Sequence, residues 1–312
     1  MGRLTDNKII LVKRKTRLED LITRYNTISQ AKFYIEHLGS DFSDYIYEDE
    51  IYKKAMSEAS SQLEILGRVH ILDREYVPNY IFGSNDIVVV IGQDGLVANT
   101  LKYLSNQVLI GVNPDPARWD GILLPFNVSD LKLVVQDVFK MRRKVKEVTM
   151  AKAVLNDGQV IYAVNDLFIG QRTHVSSRYH ITAGSRQEYQ SSSGVIISTG
   201  LGSTGWLKSI ITGAANITNE ISYKKINVQK ERKFEWNMDC LYFSVREPFT
   251  SKTSKSDIVF GKITKSCPLK ILSQMPENGV IFSDGIENDY LQFNSGIEAV
   301  ITVAEKKGHL IV

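Results

Sequence analysis

The residues best suited to chemistry begin with "VVVIGQDGLVANT", residues 88–100, where an apolar β-branched run meets a helical pattern through Gly92-Gln93-Asp94-Gly95. Glycines at such a joint permit positive φ and close backbone approach, and the first turn of the helix offers unpaired N–H groups that attract anions. The loop therefore suits a phosphate. Its spacing matches neither a P-loop nor the dinucleotide fingerprint, and no lysine follows it. A carboxylate such as Asp94 repels phosphates unless it binds a divalent cation or accepts a proton from a hydroxyl, and both roles belong to phosphoryl transfer. An Asp-Gly turn that merely closes a strand is the competing reading.

Three further stretches carry polar groups where ligands bind. In "SSSGVIISTGLGSTGW", residues 191–206, an apolar run enters Thr199-Gly200-Leu201-Gly202-Ser203-Thr204-Gly205. Its glycines and hydroxyls can hydrogen-bond a polar ligand, with Trp206 available to cover an aromatic ring; a flexible surface loop is the alternative. The surroundings of Ser203 are not Gly-x-Ser-x-Gly, which disfavours a hydrolase nucleophile. Asn165-Asp166 interrupts the apolar run "VIYAVNDLFIG", so both residues need partners, from a ligand or from backbone at a bulge. Ser283-Asp284-Gly285 ends another strand-like run and reads by itself as a hairpin turn. The five histidines are scattered, which gives a His-based metal site or triad little support.

The elements that must position these residues fall into two textures. The first half alternates short β-branched runs (9–12, 68–72, 86–91, 107–112) with helical patterns (18–38, 48–66, 96–104), which argues for parallel strands joined by helices. Beyond residue 145 the chain reads as seven or more short strands, among them "EVTMAKAVLN", "QVIYAVNDLFIG", "GVIISTG" and "EAVITVAE", an antiparallel β pattern. The expected organisation is an α/β N-terminal domain, residues 1–145, with a Rossmann-like parallel sheet, and an all-β, sandwich-like C-terminal domain, residues 146–312. The basic cluster "KMRRKVK", Lys140 to Lys146, is expected to form a solvated helix face between them. With 43% apolar residues the chain can bury a large core, and its net charge of +3 gives no support to a nucleic-acid partner. Cys240 and Cys267 cannot build a disulfide framework, the N-terminal residues lack a signal or transit pattern, and no apolar run is long enough for a membrane span. These features predict a cytoplasmic protein with no membrane partner.

Taken in order, the motifs resemble those of NAD kinases. Gly92 to Gly95 looks like that family's Gly-Gly-Asp-Gly, Asn165-Asp166 like its Asn-Glu/Asp pair, and Thr199 to Thr204 like its Thr-Gly-Ser-Thr loop. The mitochondrial-type branch is similar nearly end to end, through "VKRKTRLED", "LIGVNPDPARWDG", "VNDLFIG", "SSSGVIISTGLGSTGW", "SVREPF" and "SDGIENDYLQFNSG". The resemblance implies phosphoryl transfer from ATP or another donor, with Mg²⁺, to the 2′-hydroxyl of the adenosine ribose of NAD, which lies between the two domains. It implies that Asp94 helps deprotonate that hydroxyl, with Gly92 and Gly95 in the same loop. Asn165 and Asp166 would face the ribose and adenine, and Thr199, Gly202, Ser203 and Thr204 would surround the adenosine. Asn113, Lys13, Lys15 and Arg17 are further candidates for phosphate contacts.

Three departures frame the alternatives. Gln93 stands where the family has glycine, at a cost of about 1–2 kcal/mol if the residue must be left-handed. Leu96 replaces a usual threonine, and Ser193 stands where many NAD kinases carry an acidic residue. A catalytically impaired nucleotide-binding protein of the same fold is the second reading, and a diacylglycerol-type lipid kinase the third. A homodimer is expected, because exposed sheet edges gain from cover.

Overall fold

The computed structural model describes residues 8–222 and 234–312. Residues 1–7, part of the start read above for a targeting segment, lie outside them. The chain divides into two compact units, one running to Lys146 and rejoined by His309–Val312, the other Glu147–Gly308.

The first unit contains strands β1 (Lys8–Lys13), β2 (Arg68–Asp73), β3 (Ile87–Ile91), β4 (Val108–Asn113) and the short β5 (Phe126–Asn127). Helices α1 (Arg17–Tyr25), α2 (Ile28–His37), α3 (Ser43–Glu64), α4 (Asp94–Leu101) and α5 (Leu131–Phe139) connect or flank them. The strands run parallel in the order β2-β1-β3-β4, with β5 beside β4. Every residue of β3 is buried, as an unbroken Val/Ile run in a parallel sheet requires. Ile9, Leu11, Val89, Ile91 and Ile110 form one core with Tyr52, Ala59 and Leu63 of α3 and Val134 and Val135 of α5. Each such aliphatic side chain contributes roughly 1.5–3 kcal/mol by leaving water.

The helical pattern over 18–38 is two helices. Asn26, left-handed at φ 66°, ends α1, and the Thr27 side chain accepts the N–H of Gln30 to start α2. Nor is the basic cluster a helix face. Helix α5 closes at Phe139 with Met141 left-handed at φ 54°, while Met141 N–H donates to Val138 and Arg142 N–H to Asp137. This pair of bonds is a helix-terminating motif, so Lys140–Lys146 leads out through a turn.

The second unit holds twelve strands among the described residues: β6 (Val145–Leu155), β7 (Val160–Ala163), β8 (Asp166–Gln171), β9 (Ser177–Ala183), β10 (Arg186–Ser192), β11 (Val195–Ser198), β12 (Leu241–Val245), β13 (Phe260–Ile263), β14 (Leu269–Ser273), β15 (Gly279–Ser283), β16 (Ile286–Gln292) and β17 (Glu298–Ile311). One helix, α6 (Trp206–Ile221), follows β11. One layer is antiparallel in the order β13-β12-β11-β8-β15-β16, and the other contains β10-β9-β14-β17, with β6 between β17 and β7. Ile169, Val195, Ile197, Phe243 and Ile281 of the first layer pack with Tyr179, Ile181, Ile271 and Ile301 of the second in one core. This is a β-sandwich, so the expected fold classes of both halves are borne out. The last residues of β17 belong to the first unit, where His309 and Leu310 pair in parallel with Val108 and Leu109.

Candidate functional site

In the first unit, β3 delivers Gly92 to the start of α4. Tyr52 of α3 fixes the ends of two strands: its hydroxyl donates to the Ile91 carbonyl (2.9 Å) and accepts the Arg14 N–H (3.0 Å). Burial pushes its phenol up to about 12, so it stays protonated across the neutral range. The loop itself differs from the expectation of left-handed glycines. Neither Gly92 nor Gly95 has positive φ, and Gln93 is extended at φ −116°, ψ 162°. Gln93 therefore carries no left-handed strain. A Cβ on Gly92 would sit 2.9 Å from Leu96 Cδ2, a contact that a shift of the Leu96 side chain relieves.

Asp94 opens α4, and its carboxylate accepts the backbone N–H groups of Leu123 (2.8 Å) and Ile122 (3.2 Å). The segment it holds passes directly over β4, where a Cβ on Gly111 would lie 2.0 Å from the Leu123 carbonyl oxygen. Gly111→Ala should accordingly lower unfolding free energy by about 1–3 kcal/mol, read as a drop in the urea midpoint, because the backbone above it must move.

The other first-unit candidates are engaged with protein partners. Asn113 donates to the Trp119 carbonyl (2.9 Å) and accepts the Asp115 N–H (3.0 Å), closing the turn after β4. Lys13 pairs with Asp73 and Lys15 with Glu75, while Arg17 pairs with Asp44 and Glu48. The Arg118 and Arg17 guanidiniums hold the Asp44 carboxyl at about 2. Arg14, not singled out from the sequence, pairs with Glu48 at 2.7 Å.

In the second unit the apolar run around Asn165-Asp166 is two strands, with the pair at the junction of β7 and β8. Asp284 braces that junction: its carboxylate accepts the N–H groups of Val164 (3.0 Å), Asn165 (2.6 Å) and Asp166 (3.2 Å), and its own N–H donates to the Asp166 carbonyl (3.0 Å). Asp284 is left-handed at φ 53° and Gly285 at φ 71°. The Ser-Asp-Gly stretch is therefore a β15–β16 hairpin turn whose carboxylate also organises a segment 118 to 120 residues away.

The Thr199–Thr204 loop locks onto the same junction. Thr199 donates its hydroxyl to the Val164 carbonyl (2.6 Å) and its N–H to the Asn165 carbonyl (3.0 Å). A Cβ on Gly202 would sit 2.2 Å from the Asn165 carbonyl oxygen, so only glycine fits. Ser203 donates to the Gly200 carbonyl (2.7 Å). With Thr199–Ser203 buried, this is packed structure rather than a flexible surface loop. Asn165, Asp166, Ser193 and Asp284 line a cleft of about 810 Å³; Thr199, Gly202, Ser203 and Thr204 are not among its lining residues. Phe168 stacks on Trp206 at 6.0 Å and on Phe282 at 6.2 Å, and the Arg246 guanidinium lies over the Trp206 ring at 5.4 Å.

No protein-family model and no curated protein sequence matches the chain. Solved structures do match. An NAD kinase from Archaeoglobus fulgidus in complex with ATP superposes with a TM-score of 0.57 at 15% identity, over 98% of this chain and 93% of that one. Yeast NADH kinase complexed with NADH gives 0.59 at 15% identity, over 99% and 84%. The chain has the NAD kinase fold.

Within this NAD kinase fold the least expected electrostatics belong to Asp166. Its Oδ1 is buried without a hydrogen-bond partner. Burial pushes the carboxyl up to about 7, the Asp284 carboxylate adds to the rise, and the Ser198 hydroxyl opposes it. An acid whose folded pKa is raised binds a proton that the unfolded chain has already lost, so its contribution to stability falls as pH climbs from about 4 to 7 and is flat above. The urea midpoint should decline across that window more steeply than in Asp166→Asn, which mimics the protonated side chain. Equal slopes would assign the decline to other groups.

Asp284 was visible in the sequence as part of an Asp-Gly turn, but its brace was not. Phe168 and Phe282 had a faint signal as aromatic residues alternating along strands; Arg246 lay within the resembling stretch "SVREPF" without being singled out, and nothing local marked Tyr52. Among the described residues no group of three or more His, Cys, Asp or Glu side chains converges as a metal site, and no helix is long and apolar enough to cross a membrane. Cys240 is buried and Cys267 exposed, both as free thiols.

Proposed function

We propose that this chain is an NAD kinase of the mitochondrial-type branch, transferring a phosphoryl group to the 2′-hydroxyl of the adenosine ribose of NAD. One observation carries the reading: three stretches distant in sequence, Asn165-Asp166, Thr199–Gly202 and Asp284, are hydrogen-bonded into one junction beside an aromatic-walled cleft. Asn165 and Asp166 offer polar groups to the ribose and adenine, and Thr199, Gly202, Ser203 and Thr204 shape the wall around the adenosine. Asp94 accepts the hydroxyl proton as the donor's phosphoryl group arrives, and Gly92 and Gly95 leave room for the donor phosphates. ATP is the proposed donor. Mg²⁺ then enters on the nucleotide's phosphates, as its preference for substrate phosphates and water over all-protein cages suggests. Positioning and charge neutralisation supply most of the rate, since phosphoryl transfer asks little covalent chemistry of the protein.

The impaired-binder alternative rests on Gln93 and Leu96; Gln93 is extended and carries no left-handed strain, which supports the kinase reading. Gln93→Gly should change turnover only modestly; a large gain would restore the alternative. The direct test incubates the protein with NAD or NADH, Mg²⁺ and ATP, another nucleotide or polyphosphate, and detects the product with an NADP-specific dehydrogenase. No product with any donor would defeat the kinase reading.

A further inference from the structure

Strand β9 buries Tyr179 and Ile181 in the sandwich core, so Arg178 and His180 project from the opposite, outer face of its sheet. Ser191 and Tyr189 of β10 stand opposite them in register. On the other side Gln274 follows β14, its N–H donating to the Arg178 carbonyl (2.9 Å). The segment 249–255 borders β10, the edge strand: Phe249 N–H donates to the Ser191 carbonyl and Lys255 N–H to the Tyr189 carbonyl, both at 2.8 Å. This floor and rim enclose a second cavity of about 480 Å³, lined wholly by residues of the second unit. Small-molecule sites span about 300–1,000 Å³, so the space suits an organic ligand rather than a bare ion.

The lining is polar, aromatic and free of acid. Arg178 is its one cation, exposed, and among the described residues no carboxylate pairs with it. The single acid of β10, Glu188, faces the core instead, where it accepts the Gln190 amide (2.5 Å) and the N–H groups of Ile258 (2.9 Å) and Asp257 (3.3 Å). In the rim, Ser254 donates its hydroxyl to the Phe249 carbonyl (2.8 Å), so Ser251 is the donor in the contact between the two serines (2.8 Å). Thr253, 3.3 Å from Ser251, is left with a long bond that it can exchange for a stronger one. Tyr189 and Phe249 are 54% and 65% exposed, and the Tyr189 ring leans on His180 at 4.7 Å.

We propose that this outer-face cavity binds a small phosphate monoester bearing a ring: Arg178 grips the phosphate, Thr253 and Gln274 donate to its remaining oxygens, and Tyr189 and Phe249 cover the ring. A guanidinium fork matches two phosphate oxygens, and the acid-free lining adds no repulsion. The inference does not rest on the NAD reading, because the cavity shares no lining residue with the cleft of Asn165 and Asp166.

Calorimetric titration of the full chain with phenyl phosphate, inorganic phosphate and phenol tests this. Phenyl phosphate carries a ring and a phosphate but no nucleoside. The unaltered protein should bind it about tenfold more tightly than inorganic phosphate, the contribution of a stacked ring, and should not measurably bind phenol. In Arg178→Gln, phenyl phosphate affinity should fall about tenfold or more with the urea midpoint unchanged, since the side chain leaves no described partner behind. Tyr189→Leu should bring phenyl phosphate close to inorganic phosphate. Failure of the unaltered protein to bind phenyl phosphate at millimolar concentration overturns the proposal with no variant needed. Binding that survives Arg178→Gln undiminished lies elsewhere, as in the cleft beside Arg246, and overturns it equally. Equal affinities for phenyl phosphate and inorganic phosphate overturn the assignment of a ring-bearing ligand.

Discussion

In Asp94→Asn, NADP formation should fall by about 10²–10⁴ while NAD affinity is retained, the range expected when one positioned general base is lost. The substitution keeps the size of the side chain. Its Oδ1 can still accept the Leu123 N–H, now at 2.8 Å, but an amide nitrogen in place of Oδ2 would face the Ile122 N–H donor. A structural role alone therefore predicts a loss of about 1 kcal/mol in stability and little loss of turnover. Turnover and the urea midpoint, measured on the same preparation, separate the two roles. Unchanged turnover would leave Asp94 as a brace for the segment above Gly111 and nothing more.

Asp284→Ala should abolish NAD binding and cost about 3–5 kcal/mol in unfolding free energy. Three backbone donors, those of Val164, Asn165 and Asp166, lose their acceptor together, and each buried orphan costs about 1–3 kcal/mol before the chain relaxes. Alanine also fits the φ 53° backbone poorly, whereas asparagine tolerates it. Asp284→Asn should retain most of the stability, because Oδ1 alone accepts all three N–H groups. The informative measurement is the difference between the two variants in urea unfolding. If alanine and asparagine proved equally stable, the carboxylate would not be what holds the β7–β8 junction.

Much of the fold was legible because it is written locally. The buried run of β3, the helix that follows it and the glycines between them lie within one stretch of residues 87–101, where β-branched enrichment up to the glycines and its loss after them separate strand from helix. The Thr27 cap was legible in principle, but Asn26 in the left-handed region looks like any polar residue inside a helical pattern. The β9–β10 hairpin was missed for a related reason. Its sequence, "SRYHITAGSRQEYQSS", is too polar to stand out as strand, and it is stabilised by neighbours such as β14 and by buried bonds from the Tyr179 hydroxyl to Gln190 and Ser192.

By itself the sequence determined the element types, the change from parallel α/β to antiparallel β near residue 145, and which short polar stretches stand out from their apolar surroundings. Period, glycine content and β-branching act over a few residues, so they can be read from a single chain. Only the tertiary structure decided that Asp284 serves Asn165, that Gly202 is glycine because the Asn165 carbonyl lies against it, that Gln93 is unstrained, and that the last residues of β17 pair with β4. Those facts depend on hydrogen bonds and van der Waals contacts between residues as far apart in the sequence as Val108 and His309, whose formation is a property of the packed chain and leaves no mark in local composition.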